Sequence, residues 1–276
     1  RLRCDWSSDV CSSDLLSTDS GKNWRQTIAP TRRTLTGVFL IDDQVAWAIG
    51  HQSVILKSGD GGETWAKANA ESDPETAYLD ILFLDAMTGF IVGSYGKFLS
   101  TSDGGERWVE TKQDDDPHLS HIIPAPGGGL WLTGEFGTVR RSGDRVRRWE
   151  PLATPYEGTF FGALPLAKGG AVVFGLRGNI FRSEDGKAWK QVESPTQSLL
   201  HGGLALADGR LVLTAAAGQL LVSADEGRSF RLATMPGAES ATATSLWQAA
   251  DGGVLLTSDK GVHRLELTDL KTEGAK

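Results

Sequence analysis

Residues 58–65 read Ser-Gly-Asp-Gly-Gly-Glu-Thr-Trp, and residues 101–108 read Thr-Ser-Asp-Gly-Gly-Glu-Arg-Trp. Both stretches fit the pattern Ser/Thr-x-Asp-x-Gly-x-x-Trp, and four further copies, some incomplete, share its aspartate. The six aspartates are Asp19, Asp60, Asp103, Asp144, Asp185 and Asp225. They follow one another at intervals of 40 to 43 residues. Such a steady period indicates a repeat architecture.

The residues between the motifs also repeat. Short apolar runs precede each later motif, as at 81–84, 90–92 and 98–99, and Asp-Gly or Gly-Gly pairs separate the first and second runs in most periods. Such pairs are typical of tight hairpins. Together with the segment after the tryptophan, each period therefore holds four short strands. Runs that are apolar throughout suit strands buried on both faces. The sequence predicts an all-β fold, a β-propeller with four antiparallel strands per blade.

The motif itself has a structural explanation. An aspartate can accept hydrogen bonds from the amides of the turn that follows it, and a serine or threonine can do the same more weakly. Glycine supplies a positive φ. The tryptophan begins the fourth strand, and we expect it to offer its apolar face to the next blade. We therefore assign the six aspartates a structural role and no catalysis.

Composition excludes several classes of function. The protein has 28 Lys and Arg against 35 Asp and Glu, a net charge of -7, which disfavours sequence-independent nucleic-acid binding. Hydrophobic residues make up 39% and charged residues 23%, as in folded globular proteins. No apolar run approaches the roughly 20 residues of a membrane-spanning helix.

Residues 1–15 fit nothing in the repeat. The segment from Cys4 to Leu15 resembles one reading frame of a common short-read sequencing adapter, and it holds both cysteines, Cys4 and Cys11. The alternatives are a native disordered N-terminus or a disulfide loop. We treat 1–15 as non-native or disordered, exclude it from the fold, and expect it to pack poorly. We expect a signal peptide to have been lost with the true N-terminus, and the cysteines do not report the redox compartment.

The motifs resemble the Asp-box, or bacterial neuraminidase repeat. Residues 16–268 further resemble the photosystem II stability/assembly-factor-like propellers and their bacterial relatives. The stretches that carry this likeness are 30–32, 50–51, 155–158, 160–162 and 175–179. The resemblance implies a seven-bladed, usually exported propeller. It also implies a non-catalytic binding or assembly scaffold, here a bacterial, periplasmic relative that acts on an exported or membrane protein partner.

The repeat also predicts the blade count and the domain boundaries. Residues 16–30 supply two strands, five complete blades follow, and residues 242–268 supply three strands without the motif. We predict seven blades, the first truncated, in one domain over 16–268, followed by a tail at 269–276. The alternative is six blades, in which the two partial units merge.

A binding surface is predicted opposite the motifs. In a propeller, the loops between strands 2 and 3 share one face with the loops that enter the next blade. Reading one repeated position along the strand 2–3 tips gives His51, Tyr95, Glu135, Arg177, Ala216 and Lys260. The entry loops add Arg32, Arg33, Tyr156 and Glu157. Any single polar tip is explained by solvation alone, but together His51, Tyr95, Glu135 and Arg177 favour a protein or peptide partner.

The enzymatic alternative is a sialidase-like glycosidase. It would need an arginine cluster that binds a carboxylate, a tyrosine nucleophile assisted by a glutamate, and an aspartic acid side chain as the acid. Only Tyr78, Tyr95 and Tyr156 are available, and Glu157 directly follows Tyr156, so their side chains diverge in an extended backbone. The run 114–116 lacks the alternating spacing of a calcium loop. We expect no enzyme activity, no cofactor and no metal, and a monomer that spans no membrane.

Overall fold

The computed structural model describes residues 13–68, 73–112, 115–125, 128–143, 149–235, 240–266, 268 and 270. The protein forms two compact units. The first holds the described residues up to Thr18 together with Asn23–Ile122. The second holds Asp19–Lys22 and the described residues from Ile123 onward.

Within the part of the chain that the structure describes, the regular secondary structure consists of antiparallel strands and one short 3-10 turn at Leu176–Gly178. An N-terminal hairpin pairs β1 (Ser13–Leu16) with β2 (Arg25–Ile28). Five four-stranded sheets follow, each with its strands in sequence order. The first sheet holds β3 (Leu35–Leu40), β4 (Ala46–Gly50), β5 (Ile55–Ser58) and β6 (Ala66–Lys67), and the second holds β7 (Tyr78–Phe83), β8 (Gly89–Gly93), β9 (Phe98–Thr101) and β10 (Val109–Glu110). The third holds β11 (Leu119–Ala125), β12 (Gly129–Gly134), β13 (Val139–Ser142) and β14 (Glu150–Pro151), and the fourth holds β15 (Phe160–Pro165), β16 (Ala171–Gly175), β17 (Ile180–Ser183) and β18 (Trp189–Val192). The fifth holds β19 (Leu200–Ala205), β20 (Leu211–Ala215), β21 (Gln219–Ser223) and β22 (Arg231–Thr234). The last sheet has three strands, β23 (Ala243–Gln248), β24 (Val254–Ser258) and β25 (Gly261–Leu265).

These sheets confirm the all-β propeller with four antiparallel strands per blade. The predicted blade count is wrong. Among the described residues there are six sheets of three or four strands, which matches the alternative of six blades, and the predicted truncated first blade is the two-stranded hairpin β1–β2. Within the described residues this hairpin and the sheet β23–β25 remain separate sheets and do not merge. The motif recurs once per hairpin, and a hairpin can form without the remaining strands of its blade.

Burial follows the apolar runs. Every residue of the second strand in each four-stranded sheet is buried, as in β4, β8, β12, β16 and β20. The expectation that these runs are buried on both faces is therefore confirmed. The first strands β3, β7, β15, β19 and β23 each contain an irregular register near their beginning. Such a bulge bends a strand and increases its twist.

The N-terminal segment is only partly described, because residues 1–12 lie outside the described residues. Residues 13–15, which the sequence placed with the non-native segment, form the beginning of β1 and pair with β2. Backbone pairing requires no particular side chain, since the ladder uses only amide and carbonyl groups. The origin of the segment thus stays a prediction.

The first motif turn belongs to the second unit. A Cβ atom on Gly21 would lie 2.3 Å from a methyl carbon of Leu255 on β24, so a larger residue there would displace the Leu255 side chain. The Nη1 of Arg264 on β25 donates to the carbonyl oxygen of Ser20 at 2.6 Å. The turn 19–22 therefore packs on the last sheet, in the way the other motif turns pack on the sheet that precedes them.

Within the described residues, no helix is long or apolar enough to cross a membrane.

Candidate functional site

The motif turns are hydrogen-bonded as predicted. In the second copy, the Asp60 carboxylate accepts the backbone N–H of Thr64 at 2.9 Å and its hydroxyl at 2.6 Å. The Ser58 hydroxyl donates to Asp60 at 2.8 Å and accepts the Gly62 amide at 2.7 Å. The hydrogen bonds from Thr64 and Ser58 lower the pKa of Asp60 well below its usual range. Asp19, Asp103, Asp185 and Asp225 also accept turn amides.

Asp144 lies outside the described residues. For the other copies, the acceptor atoms of the aspartate are engaged by their own turn, which supports the structural role assigned from the sequence.

The motif tryptophans pack in the direction opposite to the one predicted. The ring of Trp108 lies edge-on to Trp47, which belongs to the preceding sheet, with centroids 5.8 Å apart. Trp189 contacts Trp131 of its preceding sheet in the same way, at 6.0 Å. The reason is the motif glycine: a Cβ on Gly105 would lie 2.3 Å from Trp47. The prediction of packing on the next blade is therefore wrong.

The tips between strands 2 and 3 share one backbone geometry. Their two central residues have positive φ, as in the type I′ turns of tight hairpins. The central pairs are Gln52-Ser53, Tyr95-Gly96, Phe136-Gly137, Arg177-Gly178 and Ala217-Gly218. The residue after each of the last four pairs donates its amide to the carbonyl of the residue before the pair, at 3.0 to 3.3 Å.

The second central residue of each tip has a structural task. At four of the five tips its amide donates to a carbonyl of the next entry loop, as from Gly96 to Pro117 at 2.9 Å and from Gly137 to Gly158 at 2.7 Å. A Cβ on Gly137 would lie 1.9 Å from the carbonyl oxygen of Tyr156. Glycine at this position therefore permits the contact, while the first central residue is left without such a constraint on its side chain.

The alignment of the tips from the sequence needs correction. Tyr95 and Arg177 occupy the first central position. His51, Glu135 and Ala216 each lie one residue before it, so they are not at the same repeated position. The equivalent residues are Gln52, Phe136 and Ala217, listed with the central pairs above. Lys260 lies in a shorter connection, where Ser258 pairs directly with Gly261.

The residues at the first central position are unusual for this geometry. A type I′ turn favours asparagine, aspartate or glycine there, because a left-handed backbone crowds larger side chains. Tyr95, Phe136 and Arg177 have φ of 55°, 54° and 56°, respectively. Tyr95 is 58% exposed and Phe136 is 77% exposed. Large side chains held in this conformation and left in solvent indicate a role other than folding.

In the first unit, two predicted residues lie beside entry loops. The ring of Tyr95 is edge-on to His118, with centroids 4.9 Å apart. The amide of His51 donates to the carbonyl of Thr34 at 2.9 Å. The structure thus places His51 next to the loop that includes Arg32 and Arg33.

In the second unit, two tips and the loop between them form a continuous surface. The amide of Gly137 donates to Gly158, which joins the Phe136 tip to the loop 156–158. The Tyr156 hydroxyl donates to the carbonyl of Leu176 at 3.3 Å, which joins that loop to the Arg177 tip. We call the outer residues of this region the tip surface, which comprises Phe136, Glu157, Leu176 and Arg177.

Tyr156 is less available than predicted. It is half-buried, and its ring packs against Phe160 and Phe181 at centroid distances of 5.1 and 5.5 Å. Glu157 is exposed. Tyr156 therefore supports the loop between the two tips, whereas its neighbour Glu157 faces solvent.

A basic depression of about 650 Å³ lies in the first unit. Its lining residues are Ala29, Pro30, Thr31, Arg32, Arg33 and Lys67. The first five follow β2, and Lys67 lies on β6. Arg32 and Arg33 were predicted as site residues, but Lys67 was not, because only the fold brings it to this loop.

Phe136 was also missed, although a signal for it exists. The dipeptides Tyr95-Gly96, Phe136-Gly137 and Arg177-Gly178 are alike in following a buried second strand. Aligning the tips on their glycines would have selected Phe136 in place of Glu135.

Metal ligation finds no support in the described part of the protein, where no group of three or more His, Cys, Asp or Glu side chains could hold an ion. Asp114, from the acidic run considered in the sequence, lies outside the described residues.

Known proteins share this architecture. Residues 70–199 match the model of the family described as Photosynthesis system II assembly factor YCF48. The solved structure of YCF48 bound to D1 peptide is similar with a TM-score of 0.69 and 20% sequence identity, over 93% of this chain and 81% of that chain. YCF48 from Cyanidioschyzon merolae has a TM-score of 0.67 and 15% identity, over 90% of both chains.

The fold alone also occurs in enzymes. A catalytically inactive variant of virginiamycin B lyase from Staphylococcus aureus, with quinupristin, is similar with a TM-score of 0.68 and 13% identity, over 93% of this chain and 85% of that chain. No curated protein sequence matches this one.

The sheets and their motif turns define the class of this protein as a β-propeller of four-stranded antiparallel blades. Residues 70–199, just under half of the chain, match the model of the photosystem II assembly-factor family, which confirms over this stretch the resemblance drawn from the sequence. The two YCF48 structures share its fold.

Proposed function

We propose that this protein is a non-catalytic assembly scaffold whose tip surface binds an extended segment of a partner protein. The observation that carries the proposal is the occupancy of the left-handed tip positions by Phe136 and Arg177, where local stability favours asparagine or glycine. Exposed aromatic and arginine side chains are the preferred anchors of protein interfaces.

The tip surface offers two kinds of contact. Phe136 is 77% exposed and Leu176 36% exposed, so an apolar group of the partner can bury surface against them. Arg177 presents a planar guanidinium that can hold a carboxylate through two hydrogen bonds. Glu157, on the loop between them, can pair with a basic group. A peptide with apolar and charged residues fits this combination.

The chemistry of the three tyrosines favours binding over glycoside hydrolysis. Burial, then the charges of Glu110 and Asp73, raise the pKa of Tyr78 to about 12, which makes its phenolate unfavourable at neutral pH. Tyr156 donates its hydroxyl to a backbone carbonyl, and Tyr95 packs on His118. Among the described residues, none of the three tyrosines is hydrogen-bonded to a carboxylate that could serve as its base.

The family supports a partner of this kind, because one of its members has been solved as YCF48 bound to D1 peptide. By the same resemblance we propose that the protein is a bacterial relative, that its partner is an exported or membrane protein, and that binding takes place outside the cytoplasm.

The test is photo-cross-linking from the tip surface in the full-length protein. A photoreactive phenylalanine at position 136 is compared with the same residue at Val109, an apolar position that is 57% exposed on β10 and outside the tip surface. After irradiation with a membrane extract, mass spectrometry should find one partner adduct at position 136 at least tenfold above position 109. Equal adducts at both positions, or hydrolysis of sialosides or neutral glycosides by the unmodified protein, would overturn the proposal.

A further inference from the structure

The Tyr95 tip of the first unit carries an inference independent of the tip surface. Tyr95 is 58% exposed, and its ring lies edge-on to His118 with the centroids 4.9 Å apart. Two exposed carboxylates, Glu75 and Asp116, belong to the loops on which this tip rests. We propose that these four residues form a binding site for a basic segment of a partner protein, whose arginine or lysine side chain stacks on the Tyr95 ring.

Backbone hydrogen bonds hold the two carboxylate-bearing loops against the tip. The amide of Ser94 donates to the carbonyl of Ala77 at 2.8 Å, and the Ser94 hydroxyl accepts the amide of Ala77 at 2.8 Å. In the other loop, the Pro117 carbonyl accepts the amide of the tip glycine at 2.9 Å. Glu75 lies two residues before Ala77, and Asp116 directly precedes Pro117. Each carboxylate therefore begins within two residues of a hydrogen bond to the tip.

The pairing of the neighbouring charges sets these two carboxylates apart. The Asp73 carboxylate accepts a hydroxyl and an amide from its own loop, at 2.7 and 3.0 Å. Glu110 pairs with Lys97 at 3.0 Å. The side chains of Glu75 and Asp116 have no hydrogen bond or ion pair among the described residues, so both are available to a ligand.

An aromatic ring with carboxylates beside it attracts a cation. The face of a tyrosine ring carries partial negative charge, and an ammonium or guanidinium group is drawn to it. Glu75 and Asp116 add two full negative charges, on a protein whose net charge is already -7. A cation bound between the ring and the carboxylates would relieve their repulsion and form charge-assisted hydrogen bonds.

Folding does not account for the aromatic ring at this tip. The φ of Tyr95 is 55°, and a left-handed backbone crowds a large side chain. The same turn position holds Gln52 and Ala217 at two other tips, so the turn forms without a ring. Because more than half of Tyr95 is in solvent, the side chain also adds little to the core.

The charge of the site selects a basic protein segment over other ligands. Carboxylates repel the phosphates of a nucleic acid or of an anionic membrane surface. A metal ion would need more ligands, and in the described part of the chain no group of three or more His, Cys, Asp or Glu side chains could hold one. Tyrosine and arginine are both preferred at protein interfaces, which suits a peptide ligand.

The experiment compares two peptides that differ only in charge. Both are acetylated and amidated with the sequence Gly-Ser-Arg-Gly-Arg-Ser-Gly, and in the second peptide both arginines are replaced by citrulline, a neutral side chain of the same shape. Binding to the full-length isotope-labelled protein is followed by amide chemical shifts. We expect the arginine peptide to shift the amides of Tyr95, Gly96 and His118. The citrulline peptide should bind roughly tenfold more weakly or less, a difference of about 1.4 kcal/mol.

Variants separate the ring and the two carboxylates from general charge. Tyr95→Asn, which suits the left-handed turn, should weaken the arginine peptide roughly threefold, while Tyr95→Phe keeps the ring and should bind as the parent does. Glu75→Gln and Asp116→Asn should each weaken it roughly twofold to fivefold. Asp43→Asn is the matched control, since Asp43 is an exposed carboxylate of the same unit on the loop between β3 and β4, and it should leave binding unchanged.

Several results would overturn the proposal. These are the absence of shifts with the arginine peptide, shifts confined to residues outside the tip and its two loops, equal binding of the citrulline peptide, and undiminished binding by Tyr95→Asn. This proposal and the proposed function fail separately, because the peptide assay reads the Tyr95 tip and the cross-linking assay reads position 136.

Discussion

Replacing Phe136 by asparagine should separate binding from stability. At φ 54° asparagine tolerates the left-handed backbone better than phenylalanine, a relief of roughly 0.5–1 kcal/mol. Phe136 is 77% exposed, so only about a quarter of the roughly 200 Å² of an aromatic side chain is buried. At about 25 cal/mol per Å² the loss of that contact costs at most about 1 kcal/mol. The two effects oppose each other, and the free energy of unfolding should change by less than about 1 kcal/mol.

Partner binding should respond much more strongly. Loss of an aromatic anchor costs roughly 1–2 kcal/mol or more, which corresponds to a decrease in affinity of about tenfold. The measurements are urea unfolding of the isolated full-length protein and recovery of the partner identified by cross-linking at position 136.

The matched control is Ala217→Asn. Ala217 occupies the same turn position with a φ of 57°, but it has almost no side chain to lose. This variant should gain roughly 0.5–1 kcal/mol of stability and recover the partner as the parent does. If Phe136→Asn destabilises the protein by several kcal/mol, or if both variants recover the partner equally, the assignment of Phe136 to binding is refuted.

Three further predictions concern the scaffold. Gly105→Ala should lower the free energy of unfolding by about 2–4 kcal/mol, because the new Cβ would sit at a φ of 83° and clash with Trp47. The control Gly209→Ala has a φ of 89° and open space around its Cβ, so it should lower the free energy of unfolding by only about 1 kcal/mol. Equal losses of the two variants in urea unfolding would contradict this prediction. The turn hydrogen bonds lower the pKa of Asp60, so its ionised form stabilises the folded protein at pH values above the ordinary pKa of 3.8. This contribution to stability is lost as the pH falls below that value. The difference in urea midpoint between the parent and Asp60→Asn should therefore shrink from pH 6 to pH 3. Tyr156→Ala should cost about 2 kcal/mol through lost ring packing, while Tyr156→Phe should cost less than about 1 kcal/mol, as measured by thermal unfolding.

Tyr156 differs from the other predicted site residue of its loop, because its ring contributes to packing. Its neighbour Glu157 is exposed, yet Tyr156 packs against Phe160 and Phe181. Sequence position in a loop indicates solvent exposure only on average, and an aromatic ring a few residues before a strand can fold back onto that strand's core.

Local features of the fold could be predicted from the sequence because their causes are local. An aspartate accepts amides from residues no more than four positions away, as Asp60 does from Thr64, and fully apolar runs such as β4 are buried wherever the blade lies. Their spacing therefore determined the hairpins and the strands. The number of blades depends on which sheets complete one another, and no local pattern contains that information.

The candidate sites were harder to predict for two different reasons. The tip alignment was off by one residue at His51, Glu135 and Ala216, because the tips were not aligned on their second central residue, which is glycine in four of the five. Lys67 joins Arg32 and Arg33 only because β6 returns along the blade to the loop that follows β2. The spacing of the motif does not predict which residues more than 30 positions apart line the same depression.

The tips show how this fold separates support from recognition. At four of the five tips the second central residue donates its amide to the next entry loop, as Gly137 does to Gly158. The first central residue has no comparable task, and it is accordingly diverse. The residues at that position are Gln52, Tyr95, Phe136, Arg177 and Ala217. A position that the scaffold holds rigidly without restricting its side-chain chemistry can vary at little cost to the core, so differences in partner among propellers of this kind should concentrate there.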